Sequence, residues 1–252
     1  MQFTLLSRIF HRDLSDPLHK TNVDLHYMLK RPPVGRSFFE NQTPSAEVIE
    51  PRNPSVHKPI THRQLVDKKL RWMTIGGQYN WTDKLYPDEK PPDFPGDIKD
   101  LLSGLFPQTI AEAAIVNLYS PGDTLSLHRD VSEQCDQGLI SISIGCDCLF
   151  IIGLERVHDS DTVLGSDSKY ACELDNIKYH VLRLRSGDAV YMSGASRFAW
   201  HGVPLIIPDT CPDELRSWPA TSDGNANQDV FDHWRDWLSS KRVNLNVRQM
   251  KA

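Results

Sequence analysis

The stretch Arg242-Val243-Asn244-Leu245-Asn246-Val247-Arg248 alternates polar and aliphatic residues without a break over its length. Period-two alternation sends successive side chains to opposite faces of a strand. One face therefore carries Val243, Leu245 and Val247, and the other Arg242, Asn244, Asn246 and Arg248. Such a segment fits a sheet and little else. Its polar side either lies in water on an edge strand or faces inward. If inward, the two guanidiniums need anionic partners, because a buried unpaired charge is costly. A dicarboxylate would answer that need, since arginine grips a carboxylate through two parallel hydrogen bonds.

The segments before it are also strand-like. Ala113–Tyr119 is closed by the turn Ser120-Pro121-Gly122-Asp123. Leu125–Arg129, Leu139–Ile144, Cys148–Ile152, Tyr179–Leu184, Ala189–Met192 and Phe198–Val203 follow. Helical spacing is present in Thr61–Leu70, with Thr61 as cap, in Gly96–Phe106 and in Val230–Ser239. Trp72, Ile75, Tyr79 and Trp81 around Gly76-Gly77 predict a β-hairpin. Residues 1–27 show no period, the proline-rich 31–59 segment reads as an extended loop or lid, and 158–170 and 208–229 read as loops. Many short strands preceded by helices predict a β-sandwich or barrel buttressed by helices.

With 252 residues the chain suffices for one large domain or two small ones. No apolar run approaches the ~20 residues of a spanning helix, so no membrane association is expected. No secretory signal is read at Met1–Phe10, although Arg8, His11 and Arg12 are faintly presequence-like. Cys135, Cys146, Cys148, Cys172 and Cys211 form an odd set without a CxxC pair. They read as reduced, buried thiols of an intracellular protein, with the nucleus favoured among compartments.

A net charge of −5 gives no overall attraction to nucleic acid. A local attraction is open at Lys58–Arg63, Lys68, Lys69 and Arg71, which run into Trp72, Tyr79, Trp81 and Tyr86. Basic residues beside aromatics suit phosphate contact with base stacking. The same residues also suit a solvated helix face beside core aromatics.

In Leu125-Ser126-Leu127-His128-Arg129-Asp130 the imidazole of His128 and the carboxylate of Asp130 share one side of a strand. They form a metal pair if a second histidine arrives, and His201, before Gly202, is the candidate. Two histidines and one carboxylate leaving open positions is the pattern of non-haem Fe(II) oxygenases. The alternative is a histidine satisfied by a neighbouring carboxylate. Asn117 and Tyr119 share a parity and offer an amide and a phenol to the same anion as Arg242.

Taken together, Asn117-x-Tyr119, Pro121-Gly122, Leu127-His128-x-Asp130, Ser193-Gly194-x-Ser196-Arg197, His201-Gly202 and Arg242-x-Asn244-x-x-x-Arg248-Gln249 resemble the AlkB family from about residue 60 onward. The likeness is greatest to its first numbered eukaryotic branch. The resemblance implies an α+β, mainly β fold: a double-stranded β-helix of jelly-roll or cupin type, with buttressing helices and an N-terminal nucleotide-recognition lid. Residues 1–95 would form the extension and lid, and 96–252 the dioxygenase core of one integrated catalytic domain. It implies Fe(2+), with 2-oxoglutarate and O2 as cosubstrates. His128, Asp130 and His201 would be the iron ligands. Arg242 would hold the distal carboxylate of 2-oxoglutarate, helped by Tyr119 and Asn244, while Asn117 and Arg248 would assist near the metal. Trp72 and Tyr79 would flank the methylated base, with Trp81, Tyr86 and Glu133 lining its pocket.

The implied activity is oxidative demethylation of N-methylated bases, N6-methyladenine in DNA or 1-methyladenine in transfer RNA, with release of formaldehyde, succinate and CO2. The base must leave its stack, which favours single-stranded or locally unpaired DNA or RNA; a monomer is expected. The same chemistry on a protein side chain is the rival reading, and a non-catalytic nucleic-acid-binding module is a third. Two departures stand out. The gap from His201 to Arg242 is longer than in compact bacterial members, and Val131-Ser132 stand where some relatives keep an acidic base-reading residue.

Overall fold

The computed structural model describes residues 1–40, 43–80, 85–87, 90–153, 179–220 and 228–251. Trp81, Cys172 and the polar 158–170 segment lie outside them. Eleven strands are present among the described residues: β1 (Val48–Ile49), β2 (Ile60–Thr61), β3 (Trp72–Gly76), β4 (Ala113–Tyr119), β5 (Leu125–His128), β6 (Leu139–Gly145), β7 (Cys148–Gly153), β8 (Tyr179–Leu184), β9 (Ala189–Met192), β10 (Trp200–Ile206) and β11 (Arg242–Arg248). They make a five-stranded sheet, β3-β4-β11-β6-β9, a four-stranded sheet, β5-β10-β7-β8, and the small pair β1-β2. All pairings are antiparallel. The two larger sheets face each other across a cavity lined from both, the double-stranded β-helix arrangement.

β11 is central rather than an edge strand. It pairs with β4 on one side, Asn244 opposite Asn117, and with β6 on the other, Asn244 opposite Ser143. Every residue of the strand is buried. Val243, Leu245 and Val247 join one hydrophobic core with Ile140, Ile142, Ile144, Val116 and Leu118, and that core extends to Leu5, Phe10, Leu65, Ile98 and Trp218. Burying each aliphatic side chain contributes about 1.5–3 kcal/mol. The polar face of β11 is thereby left to the cavity.

Three helices buttress the sheets: α1 (Gln2–Arg8), α2 (His62–Gln64) and α3 (Gly96–Leu105). α1 continues as a π-helix over Ile9–Asp13, and α2 as another over Leu65–Lys69. Thr61 caps α2, accepting from the Gln64 amide while the Gln64 side chain accepts from the Thr61 amide. A short helix, α4 (Asp213–Arg216), lies in the expected 208–229 loop.

Several expectations are corrected. Over the described residues 72–80 the expected hairpin is absent: β3 pairs with β4, and Gly76 ends the strand with φ +66°. A Cβ there would stand 2.4 Å from the Glu112 carbonyl oxygen, so only glycine fits. In the 31–59 segment, expected as an extended loop or lid, Phe38 and Phe39 are fully buried and β1 pairs with β2. Residues 230–239 do not form one α-helix. Two 3-10 segments, Gln228–Trp234 and Leu238–Ser240, are separated by Asp236 at φ +62°, a conformation aspartate tolerates and a helix does not. Trp234 and Trp237 of that segment, together with Trp218 after α4, pack against Phe10 and Phe39, and Trp234 Nε1 donates to the Phe39 carbonyl at 3.0 Å. Cys135, Cys146, Cys148 and Cys211 are free and buried, as expected.

Candidate active site

β5 and β10 are neighbours in the four-stranded sheet with His128 opposite His201, and the two imidazole centroids lie 4.4 Å apart. His128 Nδ1 lies 2.9 Å from the Ser126 carbonyl oxygen and His201 Nδ1 3.0 Å from that of Ala199. A carbonyl only accepts, so each Nδ1 carries the proton and each Nε2 presents its lone pair. Those Nε2 atoms stand 3.8 Å and 3.9 Å from the carboxylate oxygens of Asp130. The three ligand atoms lie within 4.8 Å of one another. Two neutral nitrogens and one anionic oxygen on one side, with open space opposite, fit a divalent first-row metal.

Electrostatics favour the ligating forms of Asp130 and His201. Burial alone would raise the Asp130 carboxyl, but Arg248 foremost, then His201, His128 and Arg197, draw it below the usual carboxylate range. Arg248 Nη2 donates to Asp130 Oδ2 at 2.9 Å and Asn246 Nδ2 to the same oxygen at 3.4 Å. His201 is held below the ordinary imidazole value, chiefly by burial, and so stays neutral.

The cavity is about 440 Å³, within the range of small-molecule sites. Arg242, Asn244, Asn246 and Arg248 of β11 all line it, with Asn117 of β4 and Ser141 of β6. Arg242 is 1% exposed. Its Nη2 donates to Ser143 Oγ at 2.9 Å, while Nε and Nη1 have no partner. The Tyr119 hydroxyl, across the strand pair, is likewise buried without a partner. Burial pushes that phenol up to about 12, Arg242 pulling the other way. A buried guanidinium with two idle donors beside an idle hydroxyl is an anion site. Asn244 is partly committed, its amide donating to Ser141 Oγ at 2.8 Å and the Ile142 carbonyl at 3.1 Å.

The expected base pocket is only partly assembled. Tyr79 lines the cavity, its hydroxyl accepting from Ser132 at 3.2 Å. Tyr86 stands edge-on to Tyr79, with ring centroids 5.3 Å apart, and accepts from Arg248 rather than facing the cavity. Trp72 sits on β3 opposite Asn117 and does not line the cavity. Glu133 does not line the cavity. Its fully buried carboxylate lies 3.0 Å from Arg197 Nη2 and 3.1 Å from Arg248 Nη1, so it anchors arginines behind the triad instead of meeting a base. Among the basic residues, Arg63 pairs with Asp67 and lies over the Trp234 ring, and Arg71 pairs with Asp123.

Sequence reasoning gave no role to Arg197, which donates to the carbonyls of Asp130 and Gln137 as well as to Glu133. Nor did it find Ser141 and Ser143, although the alternation Ile140-Ser141-Ile142-Ser143-Ile144 carried the signal.

Comparison with known proteins decides the family. Residues 35–248 match the model described as the 2OG-Fe(II) oxygenase superfamily. The chain belongs to that superfamily. Within it, this oxygenase is of the AlkB type. It is 48% identical over 263 residues to the N6-methyladenosine RNA demethylase ALKB1 of Pyricularia oryzae, covering all of this chain and 71% of that protein. It is 40% identical to the tRNA demethylase abh1 of Schizosaccharomyces pombe, over all of this chain and 75% of that one. The solved structure of OsALKBH1 superposes with a TM-score of 0.50 at 22% identity, covering 71% of this chain and 77% of that one, and supports the fold. The superfamily's iron(II), 2-oxoglutarate and O2 are the cofactor and cosubstrates of this oxygenase.

Proposed function

We propose that this oxygenase removes N-methyl groups from adenines in single-stranded or locally unpaired RNA. The observation that carries the reading is Arg242, with two idle nitrogens in the same cavity as the imidazole–carboxylate triad. The relatives named as N6-methyladenosine RNA and tRNA demethylases support the substrate class. Bound iron, with 2-oxoglutarate and O2, supplies the oxidation of N-methyl to N-hydroxymethyl, which sheds formaldehyde while 2-oxoglutarate leaves as succinate and CO2.

The chain's own residues bind and orient. His128, Asp130 and His201 hold the metal on one side and leave the other open. Arg242, Ser143 and Tyr119 take the distal carboxylate of the diacid, with Asn244 beside them. Arg248 keeps Asp130 ionised, and Asn117 lines the cavity wall opposite Asn244. Tyr79 packs against the extruded base. The cavity walls limit the access of water to the reacting centre. A monomer acting inside the cell, and first of all in the nucleus, completes the reading.

The test is one panel. Wild type and His128→Ala are incubated with iron(II) and 2-oxoglutarate against RNA and DNA oligonucleotides bearing N6-methyladenine or 1-methyladenine, and against methylated peptides. Formaldehyde and succinate are quantified. Release from methylated RNA by wild type alone is the expected result. Release from peptides only, or equal release by the variant, overturns it.

A further inference from the structure

The outer face of the four-stranded sheet differs from that of its partner. Where the five-stranded sheet hides its aliphatic face in the core, this one leaves Leu127, Trp200, Leu205, Tyr179 and Val181 exposed. Trp200 is the residue that matters. It precedes His201 on β10, so its indole points away from the triad, and it is 40% exposed. Its cross-strand partner is Gly153, and the next outward position on β10 is Gly202. Neither carries a side chain that could cover the indole. Arg129 lies between the two ligands on the neighbouring edge, lines the cavity, and places its guanidinium 5.3 Å from the centroid of the Trp200 ring.

An exposed aromatic shelf with an arginine packed on it, continuous with the cavity wall through that arginine, matches the way single-stranded nucleic acid is held, with a base stacked on the π-face. We infer that Trp200, backed by Arg129, is a stacking site for a nucleotide flanking the methylated one. The occupant is a single strand of nucleic acid, because a strand that delivers one base into the cavity must cross the rim where Arg129 stands. The inference rests on the demethylase reading and extends it. It makes recognition depend on strand length and on neighbouring unpaired bases.

The experiment is a length series. Wild type, Trp200→Ala and Trp200→Phe are assayed on N6-methyladenosine monophosphate and on methylated RNA of three, six and nine nucleotides, with KM and kcat separated. In parallel, quenching of tryptophan fluorescence by unmethylated RNA is titrated. The expected result is a KM that falls with length in wild type. Loss of one stacked base raises the longer substrates' KM about tenfold in Trp200→Ala, with kcat and the mononucleotide unaffected and most of the loss restored by phenylalanine. A Trp200→Ala series that overlays wild type overturns the inference, and so does a change in oligomeric state without a change in KM, which would make the face a contact between copies. Failure of wild type on every methylated RNA sinks the demethylase reading itself. The quench then decides the stacking site separately, and its absence sinks that too.

Discussion

Arg248 donates to Oδ2 of Asp130 across 2.9 Å, so the end of β11 grips the one anionic member of the triad. The same guanidinium reaches Tyr86 and Glu133. Two sheets that share no hydrogen-bonded edge are joined at the metal centre by this contact.

Arg248→Met therefore removes the strongest cationic influence on Asp130, and its carboxyl rises toward or above the ordinary value. Metal affinity is expected to fall about 10–100-fold, as for other residues that orient ligands, and to fall further as pH drops. Titration with Mn(II) followed by calorimetry checks this. Unchanged affinity at pH 6 would remove Arg248 from the role.

Arg242→Lys keeps a charge but loses the planar fork. The apparent KM for 2-oxoglutarate is expected to rise about 10–100-fold, the loss of one to two charge-assisted hydrogen bonds, with a much smaller change in kcat at saturation. Steady-state succinate release measures both. A wild-type KM would show that the idle donors serve something else.

Glu133→Gln takes the carboxylate from between Arg197 and Arg248. Breaking a buried ion pair costs about 3–5 kcal/mol, so Tm is expected to drop by roughly 10 °C while the preference among methylated bases holds. Thermal denaturation and a substrate-competition assay read the two separately. An altered preference at an unaltered Tm would return Glu133 to the base pocket.

His11 gives a pH dependence away from the active site. It stacks on Phe231 at 5.2 Å and near Trp218 at 5.4 Å, and burial lowers it to about 4 from 6.5 despite Glu40. Its folded value lies below its unfolded one, so the unfolded chain binds the proton first. Stability from this group is intact above pH 6.5, falls between 6.5 and about 4, and is level below, a loss of up to about 3 kcal/mol. Urea midpoints across that window should fall less steeply in His11→Phe than in wild type; parallel curves would count against the assignment.

The strand-built half of the molecule was legible because alternation is a local property. β4, β8 and β9 have the bounds expected for the strand-like runs 113–119, 179–184 and 189–192, and the parity of 242–248 sorted its polar side chains from its aliphatic ones before any partner was known. What the sequence concealed depends on distant partners. Residues 1–13 show no helical period because the chain passes from α- to π-helix at Ile9. The prolines of 31–59 outweighed Phe38-Phe39, whose burial requires Trp218, Trp234 and Trp237 to arrive from the other end of the chain. Glu133 read as base-facing because nothing local says that Arg197 and Arg248 will flank it.

Because β11 is hemmed by β4 and β6 and has no exposed residue, it has no freedom to slide. A slip of one position would swing both guanidiniums into the aliphatic layer and three methyl-bearing side chains into the diacid's place, emptying the chamber of its chemistry at a stroke. Extra residues can be accommodated in the connections that flank it, such as the long one between His201 and Arg242, and not within the strand. The seven residues themselves are frozen in length.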